Sequence, residues 1–351
     1  MSINSYGWDE YFEHEWKQIC AERMFRGRIV ADYGQMLRVA SEEGDILVSR
    51  SVRKADKDMQ IAVGDWVALE YVAENQLPCI RSVFNRKTKF SRAAAGIEVK
   101  EQVVAANADT VFLIQSLNRD FNMKRLERYM IAAWESGALP VVVLTKADCC
   151  DDVADKVAIV YNTVPGVDVY AISSITGEGI EGIRKYLAPG KTVTLLGSSG
   201  VGKSTLINTL AGKELFKTQE IREDDSRGRH TTTHRELLLL PGGGLIMDTP
   251  GMRALSLWEA DTGMEIMFGD VEELVELCRF HDCKHENEPG CAVREALSTG
   301  KLEMGRWERW LKLQKELAHI EAKKEGKLRL QEKQWGKQIA KLQKQLGKHK
   351  G

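Results

Sequence analysis

The sequence predicts a multidomain chain: a small N-terminal β-barrel, a central α/β domain built to hold phosphate, and a C-terminal helical module that binds metal. Three observations predict it. Five short alternating apolar runs lie between Phe25 and Val83. From about residue 103 to 257, apolar runs alternate with helical periodicity around a glycine-rich loop. Three cysteines and a histidine then fall within 14 residues, ending at Cys291.

The chain has 351 residues, 43% apolar and 29% charged, enough for two or three domains at roughly 150 residues each. This composition excludes a disordered or fibrous chain. No uncharged apolar run approaches the ~18 residues of a membrane span. The first 20 residues carry Asp9, Glu10, Glu13 and Glu15 and lack the apolar core of a signal peptide, so a cytoplasmic protein is expected. The net charge of −1 conceals a split: residues 301–351 hold 15 Lys/Arg against 6 Asp/Glu, a local charge of +9 that leaves −10 for the rest. Such a tail suits a polyanionic partner or a solvated helix. Seven cysteines, an odd number without a secretory signal, argue against a disulfide framework.

Residues 1–23 are aromatic and acidic and read as a short helical arm. The runs Phe25–Val30, Gln35–Ala40, Asp45–Ser49, Val63–Tyr71 and Cys79–Val83 alternate with turn segments such as Asp32-Tyr33-Gly34 and Glu42-Glu43-Gly44. Five strands in this space (residues 24–90) form a barrel of SH3 or OB type. A basic linker follows, with Arg86, Lys87, Lys89 and Arg92. Across residues 91–257 the runs Val111–Ile114, Val141–Leu144, Val167–Ile172 and Val193–Leu196 read as buried parallel strands, with helices at Lys124–Ser136, Gly179–Leu187 and Lys203–Leu210 between them. Leu237–Leu240 and Leu245–Met247 flank a Pro-Gly-Gly-Gly turn and read as a hairpin. Helix resumes after Asp270, gives way to a cysteine-rich module (residues 258–300), and returns in a basic tail (residues 301–351).

Gly197-Ser198-Ser199-Gly200-Val201-Gly202-Lys203-Ser204 fits G-x-x-x-x-G-K-[ST] and sits between a strand and a helix, the context the motif requires. Glycines let successive N–H groups turn inward around a phosphate, and the helix dipole adds to their pull. Lys203 is expected on the β/γ-phosphates, Ser204 on Mg²⁺, and Thr205 within the same nucleotide-binding set. Asp248, ending the strand at Asp248-Thr249-Pro250-Gly251, is placed to meet Mg²⁺, and the Gly251 N–H the γ-phosphate.

Thr145-Lys146-Ala147-Asp148 follows another strand. A carboxylate there accepts both N1–H and N2–H of guanine and repels the adenine edge, while the Lys146 stem covers the base. Ser173-Ser174, after a further strand, offers a backbone N–H to guanine O6. Base-reading elements thus precede phosphate-reading elements in the chain. A parallel sheet can be cut and rejoined in this way because chain ends lie close together. That order is the signature of a circularly permuted P-loop GTPase.

On these motifs the chain resembles the RsgA family (YjeQ/YloQ) of circularly permuted GTPases acting in small ribosomal subunit assembly, over about residues 24–300. The resemblance implies an OB-type barrel, GTP hydrolysis stimulated by the small subunit, contact with its rRNA, and one structural zinc. It departs at Thr145, where GTPases commonly carry Asn, and at Ser174, where Ala is usual. Residues 213–236 form a polar switch with Gly228-Arg229-His230-Thr231-Thr232-Thr233, and the family's first switch implies a further Mg²⁺ ligand there, Thr232 first, with Thr231 and Thr233 as alternatives. Met252 stands where Ras-like enzymes use a water-orienting Gln; Met cannot orient water, and the resemblance gives that role to His230. The expected catalytic set is therefore His230, Lys203, Thr232 and Gly251.

Cys278-x₄-Cys283-x-His285-x₅-Cys291 supplies soft ligands for a closed tetrahedral site, which suits Zn²⁺ in a structural role. His281 competes with His285, and the family spacing selects His285. Residues 327–351 carry eight Lys/Arg and one acid, a composition that suits rRNA. A monomer is expected. The competing readings are an RNA-binding assembly module whose nucleotide site senses but barely hydrolyses, and an ATPase in which the Thr145–Asp148 and Asp248–Gly251 elements are accidental.

Overall fold

The structure is a computed structural model and describes residues 2–50, 60–71, 77–93, 101–118, 120–164, 166–216, 235–248, 260–323 and 326. The chain divides into two compact units. One comprises Met1–Arg92, Gln102–Ser256 and Asp261–Met267; the other comprises Ala93–Glu101, Leu257–Ala260 and Phe268–Gly351.

In the first unit, one turn of 3-10 helix (Ile3–Tyr6) and α1 (Glu10–Ile19) precede five antiparallel strands: β1 (Met24–Asp32), β2 (Met36–Ser41), β3 (Gly44–Ser49), β4 (Trp66–Glu70) and β5 (Cys79–Val83). Their order is β3-β2-β1-β4-β5. Asp9 caps α1 by accepting from the Tyr11 N–H, which satisfies one orphan donor of the first turn. Through Phe12 and the preceding Trp8 the arm closes over Trp66, with Trp8 edge-on to Trp66 at 4.8 Å between ring centres. No hydrogen-bonded ladder joins β3 to β5 among the described residues. The strands pair antiparallel, and β3 and β5 come into contact without a ladder between them.

A two-stranded ladder of β6 (Lys89–Ala93) and β7 (Glu101–Ala106) leads into the α/β part. Its strands are β8 (Thr110–Ser116), β9 (Leu139–Thr145), β10 (Asp168–Ala171), β11 (Thr192–Gly197), β12 (Arg235–Leu239) and β13 (Leu245–Asp248). Every residue of β8 and β11 is buried, as continuous apolar runs covered on both faces require. The order is β10-β9-β8-β11-β13-β12, parallel except for β12. Helices α2 (Met123–Ser136), α3 (Val153–Thr163), α4 (Ile180–Arg184) and α5 (Lys203–Ala211) connect them. From β8 the chain steps outward to β9 and β10, then returns to β11 on the other side of β8. The boundary between β8 and β11 is thus the topological switch point, where open α/β sheets bind ligands beyond the strand C-termini.

The two sheets are continuous. On one edge β1 pairs first with β4, along Met24–Arg28, and then with β12, at Ala31–Glu236 and Asp32–Arg235; β2 takes its other edge. Arg38 of β2 adds an ion pair to Glu236 of β12. Gly64 permits the closest approach in this region. Its φ is +94°, and a Cβ there would stand 2.0 Å from the Ala106 carbonyl oxygen.

The second unit takes up α6 (Asp261–Glu276) from its break at Phe268, where φ is −128° and ψ 21°. A cysteine-bearing loop, α7 (Ala292–Ser298) and a helix over 304–323 follow. Arg306 forks onto both oxygens of Asp270 and lies over the Phe268 ring, and Trp307 stacks on Trp310 at 5.0 Å. Among the described residues, no helix is long and apolar enough to cross a membrane.

Candidate nucleotide site and metal cluster

The loop after β11 turns through two left-handed glycines, Gly200 (φ +76°) and Gly202 (φ +94°), before α5 begins at Lys203. Gly197 lies so close to β8 that a Cβ would stand 2.6 Å from the Ile114 carbonyl oxygen. A side chain at 197 would push the loop off the sheet. Lys203 curls back over the loop, its Nζ donating to the carbonyls of Gly197, at 2.7 Å, and Ser198. Ser204 and Thr205 lie in the first turn of α5, both half-buried. Val201 is fully buried, and it anchors the loop in the core formed with Ile114, Val143 and Leu206.

The loop after β9 meets this one directly. Thr145 Oγ1 donates to the Val201 carbonyl at 2.6 Å, and Lys146 Nζ donates to the Gly200 carbonyl at 2.8 Å. Lys146 adopts a left-handed conformation (φ +61°), which starts the short 3-10 turn Ala147–Cys149. Asp148 is exposed at that turn. Hydrogen bonds from the Ser173 hydroxyl and then the Cys149 thiol hold its carboxyl below the usual carboxylate range. Ser173 Oγ also accepts from the N–H groups of Ile175 and Thr176, so it shapes the loop after β10 while holding Asp148. Thr209 Oγ1 of α5 donates to the Thr205 carbonyl at 2.9 Å and lies 3.2 Å from the Ser174 carbonyl, so that third loop packs against the helix after the P-loop.

The sequence-predicted residues Thr145, Lys146, Asp148, Ser173 and Ser174 thus gather against Gly197–Thr205 at the C-terminal edge of the sheet. Asp248 ends β13 one residue beyond the Thr194–Met247 pair of the parallel ladder, on the strand beside β11. Gly251, His230 and Thr232 lie outside the described residues. The sequence reading passed over the β8–α2 turn. There Asp120 accepts a hydrogen bond from Ser198 Oγ at 2.7 Å, a contact with no motif to mark it.

The ligand atoms of Cys278, Cys283, His285 and Cys291 all lie within 4.8 Å of one another. Cys278 Sγ and Cys291 Sγ each stand 3.5 Å from His285 Nδ1. His285 takes φ +61°, which turns its ring inward, where the edge of Trp307 meets it at 5.2 Å. Burial pushes the Cys283 thiol up to about 11 and the His285 imidazolium down. Burial acts most strongly to raise Cys278, but the N–H groups of Val293 and Ala292 together with hydrogen bonds to the Cys291 and Cys283 thiols leave it below its ordinary value. Three sulfurs and one imidazole nitrogen fit a thiophilic ion with tetrahedral preference.

The sequence family described as RsgA GTPase matches residues 83–258. The chain is 44% identical over 344 residues to "Small ribosomal subunit biogenesis GTPase RsgA 1" of Listeria innocua, covering 97% of this chain and 96% of that one. It is 42% identical over 332 residues to "Small ribosomal subunit biogenesis GTPase RsgA" of Opitutus terrae, covering 91% and 90%. Among solved structures it is similar to YjeQ from Thermotoga maritima, with a TM-score of 0.60 and 29% identity over 84% of this chain and 99% of that one. YloQ, described as a circularly permuted GTPase, shares the fold with a TM-score of 0.56 at 22% identity, over 85% and 96%.

Proposed function

The chain belongs to the RsgA GTPase family, and from that membership we propose that it binds GTP across the joined loops and hydrolyses it to GDP and phosphate during small ribosomal subunit assembly. The observation that carries the reading is the pair of hydrogen bonds from Thr145 and Lys146 to the carbonyls of Val201 and Gly200. They bring the Asp148 loop alongside the Gly197–Ser204 loop, which supports one shared site for base and phosphates although the expected base-reading residues come first in the chain.

In this reading Asp148 accepts from the guanine N–H groups and the loop at Ser173-Ser174 faces O6. The N–H groups of Gly197–Thr205 and the Lys203 ammonium surround the phosphates. Ser204, Asp248 and Thr232 serve Mg²⁺, which would neutralise charge developing on the β- and γ-oxygens. The Gly251 N–H meets the γ-phosphate, and His230 orients the attacking water in place of a Gln. Cys278, Cys283, His285 and Cys291 hold one structural Zn²⁺, which would cross-link the loop before α7. The five-stranded segment acts as an OB-type unit, and it grips rRNA together with the zinc module and basic tail. Hydrolysis relaxes the switch and releases the factor.

The test is the rate of GTP turnover by the full chain alone and with small subunits, large subunits or naked rRNA. Selective stimulation by small subunits supports the reading. Binding to subunits with no turnover under any condition leaves the assembly module with a sensing site, and ATP displacing labelled GTP equally well restores the ATPase reading. His230→Ala should lower the stimulated rate more than GTP affinity, and equal loss of both would remove the catalytic role.

A further inference from the structure

The P-loop is braced from the side by a carboxylate, an unexpected neighbour for a loop that receives polyphosphate. Asp120 Oδ2 accepts from Ser198 Oγ at 2.7 Å and lies 2.9 Å from Arg125 Nη2. Arg125 Nη2 also donates to the Asp120 carbonyl. One carboxylate oxygen therefore joins the second residue of the P-loop to a guanidinium at the start of α2.

The surrounding turn fixes this arrangement. Gln115, fully buried at the end of β8, pairs with the Asn122 backbone in both directions, at 2.8 and 2.9 Å. Asn122 in turn caps α2 by accepting from the Arg125 N–H. Asn118 Oδ1 accepts from the Ser116 hydroxyl and the Asp120 N–H, so it sets where Asp120 leaves the turn. The turn stands between β8 and β11, at the switch point of the sheet. Arg125 Nε is buried and finds no hydrogen-bond partner among the described residues, so Asp120 engages the guanidinium through Nη2.

We propose that Asp120 and Arg125 form a charge-compensated brace on the P-loop. Asp120 positions Ser198, and Arg125 cancels the charge that would otherwise oppose the incoming phosphates. The proposal rests on the reading of Gly197–Ser204 as the nucleotide's phosphate cradle. Arg125 is a positioning residue acting through Asp120, and its loss uncovers a negative charge beside the cradle. The penalty grows with the number of phosphates and shrinks with salt, because both follow from Coulomb repulsion screened by ions.

The test titrates GTP, GDP and guanosine into the full-length chain and its Arg125→Ala, Arg125→Lys, Asp120→Asn and Asp120→Asn/Arg125→Ala variants, with melting curves recorded for each. Arg125→Ala should weaken GDP binding about fivefold, the upper range for a partly exposed ion pair, and GTP binding by more. Guanosine binding should not change. Arg125→Lys should keep most of the affinity, and removing the carboxylate in the double variant should restore GTP binding to within about twofold of the parent. Unchanged GTP binding in Arg125→Ala, an equal loss for guanosine, or no recovery in the double variant each overturn the brace. If Arg125→Ala fails to fold, the lysine variant and Asp120→Asn carry the test: Asp120→Asn should leave GTP affinity equal or higher, and a loss above tenfold refutes the charge argument. Lys203→Ala separates the two readings. If it binds GTP normally, the phosphate cradle falls and the brace with it; if it loses GTP while Arg125→Ala does not, only the brace falls.

Discussion

The Thr145 hydroxyl and the Val201 carbonyl, 56 positions apart in the chain, are joined by a 2.6 Å hydrogen bond in a fully buried setting. The same hydroxyl oxygen lies 3.2 Å from the Gln115 carbonyl, and its single proton goes to the nearer acceptor. Threonine is β-branched and stiff at χ1, which holds the hydroxyl toward the P-loop. An Asn would span the same gap with an amide; the threonine does it with one proton and a shorter reach.

Replacing Thr145 with Val keeps the shape and removes the donor. The Val201 carbonyl then loses its buried partner, which costs about 1–2 kcal/mol of stability. The base loop also loses its tie to the phosphate loop, and GDP affinity should fall about tenfold, the equivalent of ~1.4 kcal/mol. Thr145→Ser should recover most of both. Isothermal titration with GDP and thermal melts check the outcome, and a valine variant with unchanged affinity would show that Lys146 alone couples the loops.

Asp148 supplies a prediction about pH. The Ser173 hydroxyl and the Cys149 thiol lower its folded-state value, so the carboxylate stays charged below the ordinary carboxylate range. A depressed acid contributes above its unfolded value and fails only as pH falls through the folded one. Asp148 therefore adds no pH dependence to GDP affinity between roughly pH 5 and 8. Ser173→Ala should shift any acid-side loss of binding to higher pH. Asp148→Asn replaces two acceptor oxygens with one acceptor and one donor; GDP binding should drop at least about a hundredfold, while xanthosine diphosphate, with a carbonyl at C2, gains relative to GDP.

Much of this site could be read from the sequence because its residues lie in short contiguous motifs at strand ends. Gly197–Ser204 and Thr145–Asp148 announce themselves by residue type, and the spacing of Cys278, Cys283, His285 and Cys291 does the same for the metal cluster. The β12–β1 ladder was not readable, since it joins strands distant in the chain, and the opposite charges of Asp32 and Arg235 meet only once those strands lie side by side. Asp120 and Arg125 were equally silent. A single acid in a polar turn has no pattern until Ser198 is folded against it.

The metal cluster predicts a local rather than a global failure. Cys283→Ser removes one of four ligands, so metal content should fall from about one ion per chain toward zero under mild chelation. The loop between Cys278 and Cys291 should become sensitive to protease, while GDP affinity, on the reading that the nucleotide binds in the other compact unit, stays within about twofold. An unchanged metal content would remove Cys283 from the ligand set, and His285→Ala beside His281→Ala decides between the two competing histidines.

Arg28 carries the last prediction, because it fastens the five-stranded segment to the strand that bears the P-loop. Its guanidinium is wholly buried and donates to the Gly64, Tyr6 and Asn107 carbonyls and to Thr192 Oγ1, at the start of β11. Burial lowers its value to about 10 against the pull of Asp109, Asp65 and Asp9, so it remains a cation at neutral pH. Arg28→Met fills a similar volume but strands four acceptors, and it should cost about 3–5 kcal/mol, read as a lower urea midpoint. Arg28→Lys offers one ammonium where a planar fork is needed and should recover only part of that. Thr192 and the phosphate loop sit at opposite ends of one buried strand, so the methionine variant should also raise the KM for GTP more than it lowers kcat. If its midpoint is unchanged, the β1–β12 ladder is holding the two sheets together unaided.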